Sequence, residues 1–556
     1  MFVDASKLAP PAPLRADVCV VGAGPAGIVL ALELAKSGLH VLLIESGGAK
    51  FDSGAQNLGE ARILDAARHA PMSLATRRQL GGTSVLWGGR CVPLDEVDFQ
   101  PRQHVPDAQW PIEFAEMAAH YPQACEYAGC GPADFNSISA IPGGQPTIVP
   151  GLSDGPVISS QLERWSSPAN FGKRYHAALA AHPRITCLLN ATCTSIECQG
   201  NSEAVDSLSL ATLGGKRLSA AARWYALAAG GIATTRLLLA SNRVHPEGMG
   251  NLGGKLGRFY MGHLSGKIAD IRFTSDPGRT LYEFERDARG TYCRKRFTIS
   301  AAQQHAHRLL NCALWLDNPR LPDPDHRNGI LSLAFLALRT PLLGRRLAPE
   351  AIVAAAVGGA GHAPVLPHYL NILRDLPSVA AFAPMFAYRR YVSNRRVPGF
   401  FVHSRRNVYA LHFHAEQKPS EDSRIYLGDE TDALGIRRPI ADLKFCAADA
   451  DSVVRTHHLL DAHLRAQGCG RLDYRFADLQ AAVSSQARDG FHQIGSTRMS
   501  VDPRHGVVDA NCKVHGIHNL YVSSSSVFPT SGQANPTLSV LALSIRLARH
   551  LGDLAR

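Results

Sequence analysis

The sequence predicts an α/β protein built on a doubly wound, Rossmann-like layer, and three observations carry that expectation. A short run rich in β-branched residues, Asp17 to Val21, suits a strand buried on both faces. The glycine-rich turn Gly22-Ala23-Gly24-Pro25-Ala26-Gly27 follows directly and opens an apolar segment, Ile28 to Lys36, that closes at Gly38. A second apolar run, His40 to Glu45, completes a β-α-β unit with the glycines at its first strand-to-helix turn.

Each glycine in that turn has its own physical task. One permits the tight turn, one lets a pyrophosphate reach the backbone, and one allows the helix to pack closely on the strand. The helix then presents free N–H groups and the positive end of its dipole to the phosphates. Glu45, followed by Ser46, stands at the end of the second strand, about 18 residues beyond Gly27. A carboxylate there accepts hydrogen bonds from ribose hydroxyls and repels a 2′-phosphate. The unit is therefore read as a dinucleotide site.

Length and composition bound the rest. A chain of 556 residues is long for one domain, so two are expected. With 45% hydrophobic and 19% charged residues, disorder, collagen-like repetition and a disulfide-stapled mini-fold are excluded. No run of eighteen uncharged apolar residues occurs. The alanine- and glycine-rich stretch after Ala348 is broken by Pro349, Glu350, His362 and Pro364, and reads as a buried or surface-lying segment.

The net charge is +11, and the excess reads as dispersed, with short clusters at Arg345-Arg346, Arg389-Arg390, Arg395-Arg396 and Arg405-Arg406. No nucleic-acid motif accompanies them, so nucleic acid is set aside; a peripheral membrane contact through residues 340–406 stays a candidate. Twelve cysteines without a C-x-x-C pair read as reduced thiols, and no metal site is expected. The N-terminus has no charged-then-apolar leader design, and a cytoplasmic location is expected.

Residues 100–180 show no clean period. Residues 184–230 alternate strand-like stretches around a turn at Gly214-Gly215, and from about 270 to 485 charge and proline rise among short strands such as Asn407 to Glu416. Toward the C-terminus, Gly506 to Asp509, Val514 to Gly516 and the segment from Asn519 read as strand, turn and strand. Asn535 reads as the N-cap of a final helix with Pro536 at its first position.

The glycine turn, the loop Leu80 to Gly89, the segment Ala226 to Ser241, the segment Gly257 to His263, F-H-Q-I-G-S-T-R-M-S and G-Q-A-N-P-T-L-S stand in the order of one known family. The chain resembles the glucose–methanol–choline (GMC) family of FAD-dependent oxidoreductases from residue 16 to 551. G-S-T-R-M, S-V-F-P-T and A-N-P-T-L lean toward its bacterial sugar- and glycoside-oxidising members.

The resemblance implies an FAD-binding domain assembled from residues 1–105, 181–270 and 486–556. It implies an α+β substrate domain on an antiparallel sheet from 106–180 and 271–485. His492 corresponds to the family's active-site base, and Asn535 to a residue that hydrogen-bonds the substrate oxygen. The helix starting at Pro536 and Thr537 would face the flavin. Gly82, Thr83, Ser84, Trp87 and Gly88 would run beside the pyrophosphate and flavin, with Thr83 and Ser84 as hydrogen-bond donors near N5. Cys193, Ala229, Ser525 and Ser526 would meet the adenine and ribityl ends. Ser524 stands where relatives carry an acidic residue or glycine.

The loop holds no histidine between His69 and His104, and Leu86 precedes Trp87 where some relatives carry a linking residue, so FAD is expected to be non-covalent. The implied reaction oxidises a CH–OH group of a sugar, glycoside or other polyol by hydride transfer, with oxygen, a quinone or a protein carrier as acceptor. A decarboxylating or non-redox member of the same fold, and a non-catalytic flavin-bound interaction protein, remain alternatives.

Overall fold

The strand that carries the glycine turn, Leu14–Val21, lies in the middle of a twisted sheet. The computed structural model describes residues 1–8, 13–106, 108–198, 203–348, 350–357 and 363–556. Pro349 and residues 358–362, part of the alanine- and glycine-rich stretch, lie outside the described residues. In spatial order the sheet runs Phe2–Asp4, Ile185–Leu189, Val41–Ile44, Leu14–Val21 and Arg217–Leu227, all parallel, with Leu520–Val522 also parallel to Arg217–Leu227. Val205–Ala211 and Thr192–Cys198 extend it as antiparallel strands.

Val18 to Val21 and Val41 to Ile44 are buried without interruption, as strands covered on both faces must be. The helix Pro25–Lys36 covers one face and is itself buried from Ala26 to Ala35. The C-terminal helix Thr537–Ala555 packs on it.

Two glycines are dictated by this geometry. Gly22 has φ +105°, and a Cβ there would stand 2.6 Å from the Ala228 carbonyl oxygen; a Cβ on Gly27 would stand 1.9 Å from the Gly22 carbonyl oxygen. Neither position accepts a side chain.

A second sheet is antiparallel, in the order Gly470–Tyr474, His263–Phe273, Val408–Glu416, Cys312–Asp317, Tyr292–Ile299, Val157–Trp165 and Arg90–Cys91. Leu264, Ile271, Leu411 and Phe413 share a core with Val453 and Leu460 of the helix Ala447–Ala466. The antiparallel sheet expected from the resemblance is present. The strand His263–Phe273 belongs wholly to it, so the expected crossing at residue 270 falls inside a strand, and Arg90–Cys91 joins it ahead of residue 105.

The central segment differs from its sequence reading. Between Cys312–Asp317 and Val408–Glu416 the chain forms a helical insertion, with Gly329–Arg339, Pro341–Leu347, Glu350–Val357, Leu366–Arg374 and Leu376–Ala387 as α-helices. Gly506 to Asp509 makes only single bridges, through Val508 to Met499 and Val514, and only Leu520–Val522 of the expected pair is a strand. The final helix begins at Thr537, and Asn535 does not cap it; its side chain is turned elsewhere.

Candidate functional site

A cavity of about 590 Å³ opens beside the glycine turn and reaches the N-terminus of the final helix. Gly22, Gly24, Pro25 and Ala26 form one wall, with Glu45 and Ser46 at the adjacent strand end. Both Glu45 oxygens are engaged: one accepts the Ala23 N–H and the other the Gly47 N–H, each at 2.9 Å. Burial pushes this carboxyl above its ordinary range, against the pull of those two N–H groups. Half-buried Arg78 donates to the Ser46 hydroxyl at 2.9 Å and is pushed down to about 10 by desolvation.

The second loop meets the first. The Gly81 N–H donates to the Ala23 carbonyl at 2.8 Å, and Gly82, Thr83, Ser84, Trp87 and Gly88 all line the cavity. Ser84 is not free to donate into it, because its hydroxyl proton goes to the Gly81 carbonyl at 2.5 Å while its oxygen accepts the Phe171 N–H. In this structure its hydroxyl is engaged there and not toward the place expected of it near flavin N5. Among the described residues Thr83 accepts a 3.4 Å contact from the Arg77 N–H and its hydroxyl proton has no protein acceptor. Cys193, Ala229 and Ser525 also line the cavity.

Ala23, Gly27 and Ser526 stand behind this surface rather than on it. Ala23 anchors Glu45, Gly27 packs under Gly22, and the Ser526 hydroxyl pairs with Thr497 at 2.7 Å. Ser524, the position out of pattern, caps the short turn at Ser525–Val527 by accepting the Ser526 N–H.

The segment F-H-Q-I-G brings His492 to the far wall. Asp489 builds the turn that presents it: Oδ1 accepts the N–H groups of Phe491 and His492 at 2.8 and 3.2 Å. Its other oxygen, Oδ2, lies 3.0 Å from His492 Nδ1 and accepts the His263 N–H at 2.6 Å. Gln493 fixes the same turn to the Rossmann layer, its Oε1 accepting the Ile232 N–H at the start of the helix Gly231–Ala240. His492 Nε2 then stands 2.9 Å from Asn535 Nδ2.

Asn535 is positioned from the antiparallel sheet. The neighbouring Gln533 accepts from Arg296 and donates to Asp95, and its carbonyl accepts from His414 Nδ1. With its amide nitrogen on His492, the buried Asn535 Oδ1 has no protein partner. Pro536 and Thr537, at the start of a 19-residue helix, line the cavity beside it. The positive end of that helix favours negative charge in the cavity.

Burial would raise the Asp489 carboxyl, but the imidazoles of His492 and His263 outweigh it and hold it well below the usual carboxylate range. His263 and His414 stack at 4.3 Å between ring centroids, and desolvation lowers both. Sequence reasoning missed Asp489 and His414, and quoted His263 only as part of a family segment. The one available signal was the D-G-F-H spacing, which puts a carboxylate within a turn of the histidine.

A parallel sheet with a glycine-lined crevice at its strand ends, an acidic residue on the second strand, and a histidine–asparagine pair at the far end define a flavin-dinucleotide oxidoreductase. A family model described as FAD dependent oxidoreductase matches residues 17–365, and one described as GMC oxidoreductase matches residues 419–544. The chain belongs to the GMC family of FAD-dependent oxidoreductases, and it oxidises CH–OH groups as an FAD-dependent alcohol oxidase or dehydrogenase.

The chain is 24% identical to paromamine 6′-oxidase of Streptomyces fradiae over 97% of its own length and 92% of that protein. It is 24% identical to 6‴-hydroxyparomomycin C oxidase of Streptomyces lividus over 97% and 91% of the two chains. Among solved structures, pyridoxine 4-oxidase from Mesorbium loti matches 96% of this chain and 98% of its own at a TM-score of 0.51 and 17% identity, a likeness of fold.

Proposed function

We infer that the chain removes a proton and a hydride from a hydroxyl-bearing carbon of a sugar, glycoside or related polyol, with His492 as the base. The 2.9 Å approach of His492 Nε2 to Asn535 Nδ2 at the cavity wall carries this reading. Donation from His492 Nδ1–H to the Asp489 carboxylate leaves Nε2 as the ring's lone pair, so Nε2 takes the hydroxyl proton. Asn535 donates to the substrate oxygen and holds the carbon in register. The names of the two Streptomyces relatives, oxidases of aminoglycoside sugars, support a sugar-type substrate.

FAD, when bound, supplies the two-electron hydride acceptor. Gly22, Gly24 and the helix start at Pro25 would receive its pyrophosphate, Glu45 its ribose, and Thr83, Pro536 and Thr537 its ring end. The observations supporting that fit are the glycine cradle that a Cβ would fill and the buried, unpartnered Asn535 Oδ1. Attachment is non-covalent in this reading: of the residue types able to link a flavin, the cavity wall offers His492, engaged with Asp489, and Cys193, whose thiol burial keeps protonated. The two sheets serve as cores of an FAD domain and a substrate domain. A cytoplasmic location is part of the reading, supported by buried free cysteines such as Cys19, Cys187 and Cys312.

The test is anaerobic bleaching of the bound flavin by a panel of sugars, glycosides, aminoglycosides and simple alcohols. Reoxidation is then followed in air, with quinones and with protein carriers, which separates oxygen, quinone and protein acceptors. Bleaching by simple alcohols alone, with no response to any sugar, removes the sugar-type assignment.

A further inference from the structure

In the helical insertion between Cys312–Asp317 and Val408–Glu416, one helix packs with its polarity reversed. On the helix Leu366–Arg374, the polar side chains His368 and Asn371 are buried at 0% and 4% exposure. Leu366, Tyr369, Leu370 and Leu373 face outward at 70%, 54%, 42% and 67%. That spacing of i, i+3, i+4 and i+7 is one continuous apolar stripe, and it points away from the protein. Leu376 and Met385 of the next helix, and Tyr388 and Val392 after it in the chain, are exposed as well. A soluble surface rarely exposes so many large apolar side chains side by side.

Charge is concentrated in the same segment. Residues 329–406 contain ten arginines and no lysine, against Glu350 and Asp375 as their only acidic residues. The segment thus holds +8 of the chain's +11, and the excess that reads as dispersed along the sequence is gathered here. Arg374, on the same helix, is exposed, as are Arg395 and Arg396 just beyond Val392. An apolar stripe with outward tyrosines and an arginine-rich surround matches the polarity of an anionic bilayer surface, with acyl chains beneath and phosphates above. A second protein copy would bring another +8 against it.

We propose that this insertion is a peripheral docking platform that lays the Leu366–Leu373 stripe into an anionic lipid surface. Among the described residues no helix is long and apolar enough to cross a membrane, and the platform lies on the surface instead. Docking also orients the enzyme. Ile352, exposed on Glu350–Val357, lines the flavin cavity, so the rim of the cavity comes to the lipid with the platform.

The experiment is co-sedimentation of the full-length flavoprotein with phosphatidylcholine vesicles, with and without phosphatidylglycerol. It reads binding and not turnover, so its outcome is independent of the catalytic assignment. The protein is expected to pellet with phosphatidylglycerol-containing vesicles and to be released by high salt. Leu366→Ser/Leu373→Ser and, separately, Arg374→Ser/Arg396→Ser should each weaken partitioning by at least about tenfold with folding and flavin content unchanged. Failure to pellet with either vesicle, equal pelleting with pure phosphatidylcholine, or wild-type partitioning of both variants overturns the proposal. A dimer in solution that the leucine variant dissociates also overturns it, and gives the stripe to a second copy.

Discussion

Nδ1 of His492 lies 3.0 Å from Oδ2 of Asp489, and the same carboxylate shapes the turn that carries the ring. One residue thereby fixes where the imidazole stands and which nitrogen holds its proton. A charge-assisted bond on Nδ1 selects the tautomer whose Nε2 carries the ring's lone pair, which the Asn535 amide faces at 2.9 Å. His263 Nδ1 stands at the same 3.0 Å from His492 Nδ1, but a neutral, desolvated imidazole is the weaker acceptor beside a carboxylate.

The first prediction concerns Asp489. Asp489→Asn keeps the shape but removes the anion, and should slow anaerobic flavin reduction by about 10²-fold. The loss should fall on the rate at saturating substrate and not on substrate affinity, because the carboxylate orients the base and touches no substrate. A merely structural role would lower flavin content and rate together. Stability gives a second readout. The folded carboxyl titrates well below its unfolded value, so its contribution is complete above the ordinary carboxylate range and is lost as pH falls. The melting temperatures of variant and wild type should differ most near neutrality and converge in acid.

Glu45 gives the second prediction. Its two oxygens already hold the glycine turn through Ala23 and the strand end through Gly47. Glu45→Ala should therefore weaken FAD binding by roughly 1–3 kcal/mol and lower the apoprotein's melting temperature as well. Glu45→Gln, which retains one acceptor, should fall between. A flavin titration that gives wild-type affinity for Glu45→Ala would move the ribose contact to another residue.

The third prediction concerns attachment. No histidine stands in the loop beside the flavin's expected place, and the Cys193 thiol is kept protonated by burial. Acid precipitation should release all yellow colour into the supernatant as intact FAD. Flavin retained on the washed pellet would refute this.

How far the sequence went follows from where the information lies along the chain. The β-α-β unit was legible because its turn chemistry and its fully apolar strands are local, and residues 14–44 fold as read. His492 and Asn535, 43 residues apart, could be named from motifs, but their 2.9 Å contact needs both sheets. Asn535 reads as a cap because Asn-Pro-Thr is a good helix start, and the tertiary hydrogen bond to His492 takes its side chain instead. His414 lies on a central strand of the antiparallel sheet, where a register of pairings over a hundred residues apart decides its place. The helical insertion was illegible for a different reason. Its apolar residues follow a helical period, but part of that period faces outward, and pattern alone does not say which way an amphipathic face points.

The last prediction rests on the pair itself. If His492 Nε2 takes the hydroxyl proton, its loss removes transition-state stabilisation and leaves the remote pyrophosphate and ribose contacts intact. His492→Ala should slow anaerobic flavin reduction by at least about 10²-fold at saturating substrate, with FAD content near wild type. Asn535→Ala should be milder, because the amide donates to the substrate oxygen and accepts no proton. Its effect should fall more on substrate affinity, since a positioning hydrogen bond acts in the ground state too. The Asp489→Asn and His492→Ala losses should not add in the double variant, because the carboxylate acts only through the ring it orients. Stopped-flow bleaching of the four variants and the wild type measures all of this in one series. A His492→Ala enzyme that bleaches at the wild-type rate removes the base assignment. Additive losses in the double variant would show that Asp489 acts by a route other than the 3.0 Å contact with His492.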